Sequence, residues 1–418
     1  MKKMAIISSY NELCGNATYT EVLRKEFSKY YNVDVLALRT DLLGHRNRRV
    51  SRLADTHIKE MAKKLKGYDY VNIQFEAGLY GTARQDIIRR IKWLIDACPY
   101  NMTFTMHRVD IAESVFDKGN LKQLLYGSFF KNLKNVRQKT YMAKLYQIVI
   151  LYIKKKAEKK NYNIIVHTKR EKKNIQQLYG FEKVYDFPIT FMNEKMRERK
   201  PDEKERELFR KKYGLNFGDK IIGLFGFVSE YKGHETAIRA LKLLPAEYKI
   251  IIFGSQHPMS IMQNTKVDPY IDQLIQIITE DTEYEKNNIK GKTHEEQKLE
   301  NRVFFAGSLG DEDFIDALYC CDFAVLPYVE TNQSGSGIAS LVLESKIKSL
   351  YSNNYAFFEL KKYYPHSFES FDIGNYCELA YKMLNYKDIY KDSLEENLKI
   401  YNLENNVLFQ KKILEGNM

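Results

Sequence analysis

Residues 327–348, PYVETNQSGSGIASLVLESKIK, join the end of an apolar, strand-like run at 323–326 to the start of a helix-like stretch. Between the two lies a Gly/Ser loop that contains Gly335 and Gly337. The first turn of a helix has unpaired backbone N–H groups and a partial positive charge, so a strand, a Gly/Ser turn and a helix start together form an anion site. Glycines leave space for a phosphate to approach the backbone. The stretch therefore predicts a phosphate-binding turn after a strand.

Glu344 extends this prediction along the helix. It lies seven residues after Gly337, two helical turns on, and so returns to roughly the same face about 10 Å from the helix start. A diphosphate at residues 336–338 would then leave Glu344 about one ribose away. The pattern indicates a nucleotide-sugar site. The alternative is a Gly/Ser turn that only caps a core helix, with Glu344 as a solvated acid.

The length and composition indicate a globular protein of about two domains. Of its 418 residues 44% are hydrophobic, with 31 Tyr and 23 Phe available for buried cores. The apolar run 148–153 is too short to span a bilayer, and the N-terminal sequence MKKMAIISSY lacks the long apolar region of a signal peptide. Five cysteines, an odd number without metal-ligand spacing, fit a reducing cytoplasm.

Positive charge is concentrated in the first half of the chain. Residues 1–200 carry 40 Lys and Arg against 20 Asp and Glu, whereas the remainder carries 26 against 34. This asymmetry predicts an anionic contact for the basic half, either a membrane surface or a phosphorylated partner. Residues 154–160, KKKAEKK, follow the apolar run 148–153 and resemble a helix at a lipid interface. An ordinary lysine-rich helix end exposed to water is the equal alternative.

In the first half of the chain, short apolar runs alternate with helical stretches, which implies a parallel sheet covered on both faces. Ligands bind such sheets beyond the carboxyl ends of the strands. Gly15, Glu76, His107 and Thr168 each follow such a run and so fall at a strand end. The predicted strands are 4–8, 33–38, 70–75, 102–106 and 164–166, with a helix over 18–30 after the first.

The charged stretch 194–214 interrupts this pattern, which then restarts. We predict strands at 221–225, 249–253, 302–305 and 322–326, with helices over 234–244, near 270–278 and from Asp313. The predicted domains are residues 1–195 and 215–395, joined by a linker over 196–214, with an insertion at about 258–301. A C-terminal helix is predicted over 396–418, with packing back onto the first domain as one option.

These motifs, in this order, resemble a retaining GT-B glycosyltransferase, similar to the nucleotide-sugar-dependent enzymes of family four. The first glycine loop corresponds to CGNATYT at 14–20, and later strand ends correspond to 73–78 and 105–107. The lysine-bearing phosphate loop corresponds to 226–233, and the approach to the donor site to 302–307 and 321–328. The resemblance implies an α/β fold of two Rossmann-like, doubly wound domains that face each other across a cleft.

The resemblance also implies roles for particular residues. Lys232 would contact the donor diphosphate, Glu344 would bind the nucleotide ribose, and His107 would lie beside the donor sugar; these three are the predicted catalytic residues. Glu76 and Asn16 would bind the acceptor. The alternatives are an exposed lysine in a turn for Lys232, a structural histidine for His107 and a loop cap for Glu76. The predicted donor-binding residues are Gly15, Gly307, Ser308, Leu309, Ser334, Gly335, Ser336, Gly337 and Ile338.

The chain departs from the family pattern at three places. Phe227 stands where an arginine often follows the glycine of the lysine loop, and Ser336 stands where a glutamate often precedes Glu344 by eight residues. Residues 349–351 lack the usual Gly-x-Pro turn. Without the arginine, Lys232 and the helix dipole must neutralise more of the diphosphate charge. Without the glutamate a donor-sugar contact is lost, so the usual sugar assignment does not carry over.

Asp311, Glu312 and Asp313 form an Asp-x-Asp pattern of the kind that binds metals. The triplet stands where a helix begins, and acidic side chains at that position act as caps and dipole partners. We therefore predict no cofactor and no essential metal, with a nucleotide sugar of the UDP or GDP type as the donor substrate.

Two functional hypotheses follow. The first is an enzyme that transfers a sugar from a nucleotide sugar to a glycan or lipid-linked glycan in surface polysaccharide assembly. It would work in the cytoplasm, with its basic half at the inner face of an anionic membrane. The second is a catalytically inactive GT-B protein that binds a glycan or a partner protein. Phe227 and Ser336 favour the second hypothesis, whereas Lys232, Glu344 and the glycine loops favour the first. Nucleic acid is not an expected partner, because the basic stretches contain no recognition module.

Overall fold

The computed structural model describes residues 1–12, 14–111, 129–256, 267–279, 298–329 and 335–418, with the backbone alone for residues 129–139. The chain forms two compact units. The first consists of Met1–Thr190 together with Leu403–Met418, and the second of Phe191–Asn402. The first unit thus ends at Thr190 rather than at 195, and the charged stretch predicted as a linker belongs to the second unit.

In the first unit, strands alternate with helices along the chain. The strands are β1 (Lys3–Ser8), β2 (Asn32–Ala37), β3 (Tyr70–Phe75), β4 (Asn101–Met106), β5 (Asn161–Val166) and β6 (Val184–Asp186). The helices are Gly15–Phe27, Thr40–Leu43, Arg48–Lys64, Ala77–Tyr80, Arg84–Ala97, Phe129–Ala157, Lys169–Tyr179 and Leu403–Glu415, with a 3-10 turn at Leu65–Gly67.

The second unit has the same alternation. Its strands are β7 (Lys220–Phe225), β8 (Tyr248–Phe253), β9 (Val303–Phe305), β10 (Phe323–Leu326), β11 (Lys348–Ser352) and β12 (Glu369–Phe371). Its helices are Glu194–Arg197, Glu203–Lys212, His234–Leu241, Pro269–Thr279, Asp311–Cys320, Gly337–Glu344, Tyr355–Leu360, Tyr376–Leu384 and Lys391–Ile400, with 3-10 turns at Glu230–Lys232 and Leu299–Asn301. Much of the predicted insertion, 257–266 and 280–297, lies outside the described residues.

The first sheet is parallel, in the order β2-β1-β3-β4-β5-β6. Residues 4–7 of β1, MAII, are fully buried, as expected for a parallel strand with helices on both faces. The direction of winding reverses between β1 and β3. Ligands bind α/β sheets at such a reversal, beyond the carboxyl ends of the strands.

The second sheet is also parallel, in the order β12-β11-β10-β7-β8-β9. Counted from β7, this is the strand order of a Rossmann sheet, with its reversal between β7 and β10. The two sheets with their covering helices confirm the predicted fold class of two Rossmann-like, doubly wound domains.

Some element boundaries differ from the prediction. The first helix begins at Gly15 and not at residue 18, because glycine and asparagine are weak helix formers and hide the first turn from the sequence pattern. Strands β6, β11 and β12 were not predicted, since each is short or carries polar residues that hide an apolar run. Thr168 lies at a strand end as predicted, where its side chain caps the following helix by accepting from the Glu171 N–H.

The lysine-rich segment 154–160 makes contacts within the first unit. Lys154 Nζ donates to a backbone carbonyl at 2.9 Å, and Lys156 pairs with Asp96 at 2.5 Å. These contacts match a helix end packed on its own domain, and contact with a lipid surface stays a prediction. Across the described ranges, no helix combines the length and the apolar character that crossing a membrane requires.

Candidate functional site

Lys232 lies at the reversal of the second sheet, in the 3-10 turn that follows β7. Only 5% of the residue is exposed, so the alternative of an exposed lysine in a turn is wrong. Its ammonium group donates to the Tyr328 hydroxyl and lies 3.9 Å from the centroid of that ring. Burial lowers the pKa of Lys232 to about 7. No acidic side chain among the described residues forms an ion pair with it, so an incoming anion would be the partner that stabilises its charge.

Glycines allow the backbone segments around Lys232 to approach one another closely. Gly233 has φ +65°, and a Cβ there would overlap the Pro327 carbonyl oxygen at the end of β10. Gly226, directly after β7, has φ +98°, and a Cβ there would lie 3.4 Å from Lys232 Nζ and 3.3 Å from Ile338 Cγ1. Gly226 therefore borders both the lysine and the first turn of the helix Gly337–Glu344.

The helix Gly337–Glu344 begins beside this lysine. Ser336 is its N-cap, and the Ser336 side chain accepts from the Ala339 N–H at 3.3 Å. Its Oγ also lies 3.3 Å from the Tyr328 hydroxyl that binds Lys232. The ammonium group and the positive end of a helix thus converge on one place, which is what an anion site requires. Residues 335–338 of the predicted phosphate-binding turn lie here, whereas Ser334 lies outside the described residues. Binding of a phosphate stays a prediction.

Glu344 ends the same helix and is fully buried. Its carboxylate accepts from the Phe191 N–H at 2.9 Å and from the Met192 N–H at 3.0 Å. The alternative of a solvated acid is therefore wrong. The ribose contact stays a prediction, and anchoring residues 191–192 is the role that the structure gives to Glu344.

The predicted base pocket is formed by loops after neighbouring strands. Gly307, Ser308 and Leu309 follow β9, and Gly307 has φ +76°. The Ser308 hydroxyl lies 2.6 Å from that of Ser255, which follows β8. Two strand-end loops thus meet through their side chains at the carboxyl edge of the sheet. Contact of these residues with a base stays a prediction.

In the first unit, the reversal of the sheet brings together the two predicted acceptor-binding residues. Asn16 Nδ2 donates to Glu76 Oε2 at 2.5 Å, which joins the loops after β1 and β3. Gly15 is the first residue of the helix that carries Asn16. Glu76 occupies an N-cap position, but its side chain does not cap the helix, so the loop-cap alternative is wrong for its carboxylate.

His107 follows β4 and packs among polar and aromatic side chains. Its Nε2 lies 2.7 Å from Gln74 Oε1, and its ring centroid lies 5.5 Å from that of Tyr19 and 5.1 Å from that of His167. Burial, together with the neighbouring His167, holds the pKa of His107 well below its usual value. His107 is therefore a neutral imidazole at physiological pH, able to donate from one nitrogen and accept at the other.

A directed chain of amide side chains continues from Gln74. The Gln74 amide donates to Asn72 Oδ1, Asn72 donates to Gln410 Oε1 at 3.3 Å, and Gln410 donates to Asn406 Oδ1 at 2.9 Å. In this chain the side-chain nitrogens of Gln74, Asn72 and Gln410 all act as donors. The side-chain oxygen of Gln74 is therefore the atom that faces His107, and His107 must carry its proton on Nε2 to donate to it. Asn72 and Gln74 alternate with apolar residues in β3, and that alternation is the sequence signal for this buried chain.

Comparison with known proteins gives matches among solved structures. No protein-family model matches the sequence, and no curated protein matches it significantly. HepE of Anabaena, in a complex with UDP-glucose, matches at 13% identity over 100% of this chain and 99% of that chain, with a TM-score of 0.61. Sucrose-phosphate synthase of Thermosynechococcus elongatus matches at 13% identity over 100% and 99%, with a TM-score of 0.67. A glycosyltransferase of Rickettsia africae matches at 13% identity over 100% and 98%, with a TM-score of 0.64. The chain has the GT-B fold.

Metal-binding chemistry has no cluster to support it in the described part of the chain. No group of three or more His, Cys, Asp or Glu side chains there has the arrangement to hold a metal ion. The acidic triplet 311–313 lies in the first turn of the helix Asp311–Cys320, where its negative charges interact favourably with the positive end of the helix dipole. That the protein needs no metal stays a prediction.

Proposed function

We propose that this protein is a glycosyltransferase that uses a nucleotide sugar as donor. The observation that carries the proposal is the buried Lys232, which pairs with no acidic side chain among the described residues and lies beside the start of the helix Gly337–Glu344 at the reversal of a Rossmann sheet. A diphosphate supplies the negative charge that this arrangement lacks. The GT-B fold, which the similar glycosyltransferases share, supports the same proposal.

The proposed chemistry is stabilisation of the departing diphosphate. Lys232, mostly neutral above pH 7 in the free protein, gains a proton as the anion arrives and then neutralises charge that develops in the transition state. The N–H groups at the helix start add fixed dipoles that need no reorganisation. We propose retention of configuration, with the acceptor hydroxyl attacking from the face that the diphosphate leaves and passing its proton to a donor phosphate oxygen.

His107 is proposed to position a hydroxyl of the donor sugar rather than to act as a base. Its lowered pKa makes it a weak base, and its Nε2–H is held by Gln74. Nδ1 is then the nitrogen left to accept a hydrogen bond. Asn16 and Glu76 are proposed to bind the acceptor, because together they place an amide and a carboxyl group at one strand-end crevice.

The proposal includes a donor of the UDP type. HepE has been solved with UDP, with UDP and glucose, and with UDP-glucose. The proposed acceptor is a glycan or lipid-linked glycan in surface polysaccharide assembly, met at the cytoplasmic face of an anionic membrane by the basic first half of the chain. We propose that transfer requires no metal.

A second candidate function is an inactive GT-B protein that binds a glycan or a partner. The observation that favours it is the role of Ser336, which serves as the helix N-cap at a position where the family often has a glutamate. Phe227 supplies no charge to the lysine loop. The two candidates differ in one measurable property, since only the enzyme converts a nucleotide sugar to a nucleoside diphosphate.

The test is a donor-turnover assay with purified full-length protein, UDP- and GDP-sugars, a mixture of glycan acceptors and EDTA, followed by ³¹P NMR. We expect release of UDP from at least one UDP-sugar, unchanged by EDTA and lost in Lys232→Met. The matched control is Lys211→Met, which removes an exposed lysine of the second unit. Binding of UDP without turnover of any donor would favour the inactive protein, and equal turnover in Lys232→Met would contradict the proposed site.

A further inference from the structure

The second unit contains a cavity of about 510 Å³ at its edge strand β12. Its volume falls within the range of small-molecule sites. β12 lies two strands away from the β7–β10 reversal, and none of the predicted donor-binding residues lines the cavity. Among the residues that line it are Asn353, Lys361, Phe368, Ser370, Lys382 and Tyr390.

Lys361 lies in the wall of this cavity and is partly buried. Its ammonium group makes no hydrogen bond or ion pair with any described residue and lies 5.7 Å from the centroid of the Phe368 ring. Burial lowers the pKa of Lys361. A partly desolvated ammonium group without an acceptor is an unfavourable arrangement that a bound anion relieves.

Ser370 also borders the cavity, but its hydroxyl is enclosed by protein and is not available to a ligand. The residue is 8% exposed, and its hydroxyl has no hydrogen-bond partner in the structure. Buried hydroxyls are nearly always hydrogen-bonded in folded proteins. Its backbone groups, by contrast, are occupied, because its N–H donates to Glu369 at 3.1 Å and its carbonyl accepts from Lys382.

The acid in the cavity wall, Glu369, already has three partners. Its Oε1 accepts from the Ser370 N–H and lies 3.3 Å from Lys382 Nζ, and its Oε2 accepts from the Tyr390 hydroxyl. Burial alone would raise the pKa of Glu369, but these hydrogen bonds outweigh it and the pKa is lowered. Lys382 is further paired with Glu378 at 2.8 Å. The wall therefore offers one unused donor, on Lys361, while its carboxylate is occupied by three partners.

We propose that this cavity is a second ligand site, which binds the carboxylate or phosphate group of a small metabolite through Lys361 Nζ. Phe368 supplies an apolar surface, and the remaining volume holds the body of the ligand. The site does not depend on the proposed transferase activity, because it shares no residue with the donor site.

The first experiment measures chemical protection of Lys361 in the full-length protein. An amine-acylating reagent at pH 8 labels Lys361, since its lowered pKa leaves part of it neutral, and peptide mass spectrometry follows the rate. Inorganic phosphate and acetate, each titrated at constant ionic strength, are the two probes. At about four times the Kd of the better probe we expect labelling to slow about fivefold, because only the free form reacts. The probe that protects at lower concentration identifies phosphate or carboxylate as the preferred group.

Variants separate this site from the donor site. Lys361→Met should weaken binding of the preferred probe by about tenfold, as expected for the loss of a charge-assisted hydrogen bond. Ser370→Ala, which removes an enclosed hydroxyl, should leave binding unchanged. Lys387→Met, which removes an exposed lysine three residues before Tyr390, should bind the probe normally. Protection of Lys361 should persist in Lys232→Met, which lacks the donor-site lysine.

Three results would overturn this proposal. The first is a Lys361 labelling rate that neither probe changes at tens of millimolar. The second is unchanged probe binding in Lys361→Met. The third is loss of Lys361 protection in Lys232→Met, which would show that the donor site alone binds the anion. If the same preparation shows no turnover of a sugar donor, Lys361 should still be protected by the probe. The transferase proposal can therefore fail while the second-site proposal holds, and the reverse is also possible.

Discussion

Replacing Lys232 by methionine should stabilise the second unit while abolishing the proposed anion site. The residue is 5% exposed, and burial lowers its pKa from 10.5 to about 7. Holding the ammonium form in the fold below pH 7 then costs about 5 kcal/mol, since each unit of pKa difference corresponds to 1.36 kcal/mol. Methionine has a similar shape without the charge. The Tyr328 hydroxyl would still contact Ser336 Oγ at 3.3 Å, so the variant need not leave it unpaired.

The direction of the pH dependence follows from the same lowered pKa. Between about pH 7 and pH 10.5 the unfolded chain binds a proton at Lys232 that the folded chain does not, so the wild-type free energy of unfolding rises by about 1.4 kcal/mol per pH unit. Below this window both states carry the proton, and above it neither does. The advantage of Lys232→Met should therefore be about 5 kcal/mol below pH 7, shrink through the window, and vanish near pH 10.5.

Urea unfolding followed by far-UV circular dichroism at pH 6.5, 8.0 and 9.5 measures this difference. Lys211→Met, at an exposed position in the same unit, is the control and should match the wild type at every pH. A Lys232→Met variant that is less stable than the wild type at pH 6.5 would refute the reasoning. So would a difference that stays constant from pH 6.5 to 9.5, because it could not arise from the titration of Lys232.

Three further predictions concern packing and the buried amide chain. Gly233→Ala should lower the melting temperature markedly more than Gly214→Ala. Both glycines have a positive φ, at +65° and +66°, which costs about 1–2 kcal/mol for alanine. Only at Gly233 would the added Cβ also overlap a backbone carbonyl oxygen. Glu344→Gln should lower the free energy of unfolding by about 2–3 kcal/mol, because an uncharged amide replaces a buried carboxylate that accepts from two N–H groups. Gln410→Leu should lower the free energy of unfolding by about 1–3 kcal/mol, because Asn72 and Asn406 each lose a hydrogen-bond partner. In this variant ¹⁵N NMR should show His107 as a mixture of tautomers in place of the Nε2–H form.

Each of these predictions has a result that contradicts it. Equal melting temperatures for the two glycine variants would mean that the loop at 233 has room for a methyl group. A Glu344→Gln protein as stable as the wild type would show that residues 191–192 do not depend on the charge. A single, unchanged His107 tautomer in Gln410→Leu would show that Gln74 is oriented without help from the C-terminal helix.

The order of strands and helices could be predicted because most of the strands are apolar runs. Ile250, Ile251 and Ile252 of β8 lie in a run that only a strand buried on both faces explains, and the glycines mark where such strands end. β12, with the sequence ESF, has no such pattern, because an edge strand of three residues needs little apolar surface. The ends of the apolar runs therefore marked most strand ends and the loops that follow them, whereas the edge strands could not be predicted from the sequence.

The partners of the site residues could not be predicted, since they come from distant parts of the chain. Lys232 is buried by Tyr328, 96 residues later, and Glu344 is held by backbone N–H groups 152 and 153 residues earlier. Backbone N–H groups carry no sequence signature, so the anchoring role of Glu344 was hidden. Gln410 likewise joins β3 only because the last helix folds onto the first unit.

The central claim is that Lys232 binds a diphosphate, and calorimetric titration of UDP into the wild type and Lys232→Met at pH 8 tests it directly. Repeating the titration in two buffers of different ionisation enthalpy gives the number of protons taken up. The account predicts binding by the wild type with uptake of about 0.9 proton, because a lysine of pKa about 7 is mostly neutral at pH 8 and becomes charged against the diphosphate. It also predicts at least about tenfold weaker binding, without uptake, in Lys232→Met. Equal affinity in the two proteins, or binding by the wild type without proton uptake, would contradict it.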